Sequence, residues 1–153
     1  MKKSVYYILV LLFYSGLSFA QDAPEQVLDK KDVTRFIDTF KPMAEEIEAL
    51  GEEMSTSEDP TMNTIMQNEE VKAILRKYGW GDDFLPKFYV ITMGYAYSKM
   101  LTEIENMPEE QRNQMTAMVA QYTAQYKSKL HEEDVKLVNA HMDELEQMFE
   151  SME

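Results

Sequence analysis

The side chains best suited to chemistry are sparse in this chain, and their spacing narrows what they can do. There is no cysteine, so covalent catalysis would need a serine activated by a histidine, and His131 and His141 are the only two histidines. His131 falls at a junction between expected helices, and His141 sits beside Met142 at the edge of an apolar seam. Neither position sets up a base next to a nucleophile. A di-metal carboxylate bundle needs Glu-x-x-His pairs from two helices, and no such pair occurs. A Gly-rich phosphate loop, an HExxH helix and an EF-hand loop are equally absent from the sequence. No catalytic, cofactor-binding or metal-ligating residue is assigned, and the chain reads as a non-enzyme without a cofactor.

Methionine offers more. Twelve of the 13 methionines follow residue 20, and thioethers can hold Cu(I) in an exported protein. Met62 with Met66, and Met115 with Met118, are spaced to put two ligands on one helix face. Core filling accounts for the same residues, because nearly all of them fall on apolar stripes. A metal or haem carrier using Met and His ligands, His141 among them, is the alternative function.

Asp82 and Asp83 lie in "KYGWGDDFLPKF", residues 77 to 88, which holds the single tryptophan of the chain. This stretch reads as a hinge between helices. Gly79 can take the left-handed conformation that ends a helix. With Asp83 as N-cap, Pro86 falls at the third helical position, where its missing N–H removes no helical bond, and the carboxylate can accept from Leu85 N–H. Asp83 also precedes Lys87 by four residues, a favourable ion-pair spacing. Trp80 is expected to pack against Tyr78, Phe84 or Phe88.

The elements that carry these residues are helical throughout. Val33, Phe36, Ile37, Phe40, Ala44, Ile47, Leu50 and Met54 recur at three and four residues and predict a helix over about 30–54, kinked or divided at Pro42. Asp59 and Pro60 open a short helix interrupted near Asn68, whose apolar face carries Val71, Ile74, Leu75 and Tyr78. Residues 88–101 are apolar around most of the circumference and predict the most buried helix, with Thr92, Lys99, Glu103 and Asn106 facing outward. Pro108, followed by Glu109 and Glu110, starts the next helix, lined by Met115, Met118, Val119, Tyr122, Tyr126 and Leu130. Val135, Val138, Met142, Leu145, Phe149 and Met152 form a heptad seam along the last. The fold class is therefore all-α, a helical bundle of four long helices plus one shorter helix.

Residues 1–20 have the three parts of a secretory signal: Lys2 and Lys3, an apolar run from Ile8 to Phe13, and small residues at Ser18 and Ala20. Cleavage after Ala20 would leave residues 21–153 as a single domain of 133 residues in the periplasm or outside the cell. The apolar run is shorter than the roughly 20 residues of a membrane span, so no span is expected after cleavage. Removing Lys2 and Lys3 takes the net charge from −13 to −15. Such a surface repels phosphate backbones, which disfavours nucleic acid as a partner.

What remains is binding through apolar surface. Met-rich helices re-pack around varied partners. Trp80, Tyr95, Tyr97, Tyr122 and Tyr126 supply rings with polar tips and are the candidate partner-binding residues. "NMPEEQRNQM", residues 106–115, resembles the Leu-Thr-x-x-Gln segment of small periplasmic helical chaperones, with Met107 and Pro108 in place of the leucine and threonine. As a whole the chain resembles small exported all-helical bacterial proteins of unknown function. The expected function is an exported, non-enzymatic helical bundle that binds a protein or an apolar ligand.

Overall fold

The computed structural model describes residues 25–54 and 67–152, with the side chains of 51–54 and 115 excepted. The signal segment, the polar loop with Asp59 and Pro60, and the Met62–Met66 pair lie outside the described residues. Among the described residues six helices follow an irregular lead-in, and no strand occurs. In chain order they are α1 (Lys30–Met54), α2 (Glu69–Lys77), α3 (Phe84–Glu105), α4 (Glu109–Lys127), α5 (Glu132–Asn139) and α6 (Met142–Glu150). None is long and apolar enough to cross a membrane.

A reciprocal cap sets the start of α1. Asp29 Oδ1 accepts from Lys31 N–H at 2.6 Å and from Asp32 N–H at 3.0 Å, while Asp32 Oδ2 accepts from Asp29 N–H at 2.8 Å. Donors that a helix start leaves unpaired are thus satisfied by two carboxylates. Helix α1 then runs through Pro42 as one element, so of the expected kink or division the division does not occur. A proline costs one ladder bond, and burial of Phe36, Phe40 and Met43 on either side of it holds the helix together. The interruption expected near Asn68 is the start of α2, with Asn68 Oδ1 accepting from Glu70 N–H at 2.7 Å and Val71 N–H at 3.3 Å.

Helix α3 is central, as its composition implies: Phe84, Phe88, Val90, Ile91, Gly94, Tyr97 and Ser98 are buried. It packs against α5 more extensively than any other pair of helices packs. The approach is close because Gly94 has no side chain; a Cβ there would lie 3.1 Å from Val138 Cγ2. An aromatic string joins the remaining layers. Phe84 and Phe88 have centroids 5.7 Å apart, Phe88 meets Phe40 at 5.4 Å and Phe36 at 5.9 Å, and Phe36 meets Phe149 of α6 at 6.4 Å.

The final stretch departs from the expected single long helix. His141 leaves helical geometry at φ −125° and ψ 23°, and its N–H bonds Val138 O at 3.0 Å, tightening the last turn of α5. The chain restarts as α6, so the described residues hold three long and three short helices. After the break Leu145 and Met148 are the deeply buried residues, while Phe149 and Met152 pack only partly against the core.

Candidate functional site

The 78–83 turn is a structural joint. Gly79, at φ +79°, gives its N–H to Arg76 O at 3.0 Å, and Trp80 N–H reaches Leu75 O at 2.9 Å. This pair of bonds closes the end of α2 and needs the left-handed residue that glycine supplies. The Trp80 ring is 2% exposed, meets Phe84 edge-on at 5.2 Å, and donates from Nε1 to Thr39 Oγ1 at 3.0 Å. The Arg35 guanidinium stands 5.1 Å from the ring centroid and donates to Gly79 O at 3.0 Å. One indole therefore pins the turn to both α1 and α3, which removes Trp80 from the exposed contact residues.

Asp83 does stand at the N-cap of α3, but its carboxylate caps no backbone N–H. Its Oδ2 pairs instead with Lys87 Nζ at 2.8 Å, which holds the Asp83 carboxyl below its ordinary range. The same ammonium lies 2.9 Å from the buried Asp32 of α1. Burial pulls the Lys87 pKa down, and the hydrogen bonds to Asp83 and Asp32 outweigh it and raise it. A cation at hand outbids a neutral amide for the carboxylate.

A groove of about 250 Å³ runs beside this joint, lined by residues that include Lys72, Leu75, Arg76, Trp80, Phe84 and Leu85. Its apolar floor is nearly closed, since Trp80 and Phe84 are both buried. Lys72 and Arg76 are already engaged by Glu69, at 2.7 and 3.7 Å. Little apolar surface remains there to hold a ligand, and both cations of its lining are already paired.

The tyrosines divide into two groups. Tyr95 turns toward α6, with its ring 4.8 Å from Phe149 and the Lys99 ammonium 5.8 Å away; Lys99 in turn pairs with Glu146 at 2.9 Å. Tyr97 is buried on another face of α3 and lies 5.0 Å from Tyr126 of α4. Tyr89, eight residues before Tyr97 and so on the same side of α3, joins this group. Burial raises the pKa of Tyr89 and of Tyr126, with Tyr126 adding to the first and Tyr122 to the second. Tyr89 was not among the sequence candidates, although its spacing to Tyr97 carries the signal.

Along α4, Met118, Tyr122 and Tyr126 follow one another at four-residue steps and share a side of the helix. Tyr126 is half-buried against Tyr97, whereas Met118 and Tyr122 are each 45% exposed, the two large hydrophobics most open to solvent among the described residues. The apolar stripe of this segment is thus closed at Leu130, half-covered at Val119 and Tyr126, and open at Met118 and Tyr122. Helix α4 packs on α3, and apart from the half-buried Val119, Thr123 and Tyr126 its described side chains are exposed. Residues 113–126 contain no charged side chain, in a sequence that is 28% charged.

Three further ionisable groups have structural partners. His131 Nδ1 accepts from Glu133 N–H at 3.2 Å as the N-cap of α5, and His141 Nδ1 lies 2.7 Å from Glu144. Asp134, 1% exposed, accepts from Val27 N–H at 3.0 Å and Leu28 N–H at 2.9 Å, binding the lead-in segment to α5. Among the described residues no three of His, Asp and Glu converge as a metal site. Comparison with protein-family models, with curated proteins and with solved structures gives no match.

Proposed function

We propose that this chain is an exported, non-enzymatic helical-bundle protein that acts by binding a protein through the outer side of α4. The observation that carries the reading is the uncharged run 113–126, with Met118 and Tyr122 exposed at its middle. Contact surfaces are distinguished by loss of charge and by enrichment in Met and Tyr. Solvated helix faces in this chain carry charge, as Glu132, Glu133 and Lys136 do on α5. A helix left uncharged and open while acids crowd the rest has a composition suited to being covered.

Export is supported by Lys2, Lys3 and the apolar run before Ala20, and predicts release with the periplasmic fraction. The test of binding is photo-crosslinking in cells that make the protein natively. A photoreactive residue in place of Met118 should yield a discrete protein adduct, while the same residue in place of Asp38, on α1, should not. Equal or absent adducts at both positions would remove the reading.

A further inference from the structure

The geometry of α4 points to one occupant for this surface: we infer that it pairs antiparallel with α4 of a second copy of this chain. The inference rests on the reading of α4 as a contact surface and names its partner. Charge and symmetry both favour this pairing.

Two chains with a net charge of −13 repel each other over most of their surface. Residues 107–130 are the exception, with Glu109 and Glu110 against Arg112, Lys127 and Lys129. A cationic partner would be drawn to the acidic surface elsewhere, and a nucleic acid or an acidic peptide would be turned away by it. A copy of the same chain can approach here without local repulsion.

The residue pattern is also self-complementary. A two-fold axis requires that residue i of one copy meet residue j of the other and the reverse. Met118 and Tyr122 lie symmetrically about position 120, so antiparallel helices crossing at that level along the axis put each Met118 against the other copy's Tyr122. Thioether and aromatic ring make a favourable contact. Gln111 and Lys129 are also equidistant from Ala120, which brings the acidic N-terminal turn, with Glu110, beside Lys129 of the second copy at both ends. A parallel pairing would instead set Glu109 and Glu110 against their own copies. Helix α4 is about 28 Å long, so one face buries only several hundred Å² per copy, the range of weak and reversible association.

Sedimentation velocity on the purified full chain between roughly 1 µM and 1 mM should show a concentration-dependent dimer, within the span of a weak interface. Met118→Glu should weaken it at least tenfold while the thermal melt stays in place, because the side chain is exposed. The absence of cysteine makes the orientation testable: mixed Gln111→Cys and Lys129→Cys chains should form a heterodisulfide under mild oxidation, and Gln111→Cys alone should not self-link. A monomer over the whole range, or efficient Gln111→Cys self-linking, overturns the inference. If the monomer is accompanied by a photo-adduct at Met118 with a different protein, the contact surface stands and only its partner is wrong. A monomer with no adduct removes both.

Discussion

Replacing Trp80 tests the joint between α1, α2 and α3 most directly. The indole is 2% exposed, so Trp80→Ala removes a buried ring from among Phe84, Arg35 and Thr39 and should cost about 3–5 kcal/mol. Trp80→Phe separates packing from hydrogen bonding. It keeps an aromatic against Phe84 and loses the Nε1 donor, but Thr39 Oγ1 is not orphaned, because the hydroxyl also donates to Arg35 O at 2.7 Å. The Phe variant should therefore cost only about 1–2 kcal/mol, one net hydrogen bond plus a small loss of volume. Urea unfolding followed by far-UV circular dichroism measures both, since the mutations remove the fluorophore. The wild-type emission should be blue-shifted relative to indole in water. A loss below about 1 kcal/mol for Trp80→Ala, at an unchanged denaturant slope, would refute the account of the turn as a packed joint.

Gly94→Leu drives a side chain into Val138 and should destabilise by about 1–3 kcal/mol, and pairing it with Val138→Ala should recover part of the loss in a double-mutant cycle. Asp134→Ala leaves Val27 and Leu28 N–H without their acceptor and should cost about 3 kcal/mol, with hydrogen exchange at those two amides accelerating more than at α3. Tyr89, Tyr95 and Tyr126 titrate above the ordinary phenol value of 10.0 when folded. The folded state then holds protons that the unfolded state has released. Stability is therefore fully present below about pH 10 and falls as pH rises through the folded values. A melting temperature flat from neutral pH to pH 11 would contradict it.

Much of this arrangement was legible in local pattern. The bounds of α1, the left-handed Gly79, the Asp83–Lys87 pair, the acids at the start of α4 and the packing of Trp80 on Phe84 all depend on residues within one or two turns of each other. What escaped depends on partners far along the chain. Asp32 meets Lys87 of α3, and Asp134 meets Val27 and Leu28, with no spacing rule to announce either pair. The heptad seam over 135–152 specified a face but not the break at His141, which comes where the close approach at Gly94 ends and Leu145 and Met148 turn to the core. Periodicity on α4 likewise gave the stripe of Met118, Tyr122 and Tyr126 without saying that most of it would stay uncovered. A pattern in sequence fixes which residues share a side; only the surrounding fold decides whether anything covers that side.

The clasp between Asp134 and the lead-in segment also bears on the order in which the chain folds. Val27 and Asp134 are 107 residues apart, and Lys41 Nζ reaches Ser151 O across 110. Closing a loop of that length costs on the order of 4 kcal/mol in chain entropy before any contact rewards it. Helix α1 therefore cannot complete its packing until the C-terminal residues have been synthesised, because α5 and α6 cover part of its buried side. A growing chain would keep α1 uncommitted and would lock only once α5 and α6 had been made. Truncations that stop before α5 should then remain protease-sensitive along α1 as well as at their own ends.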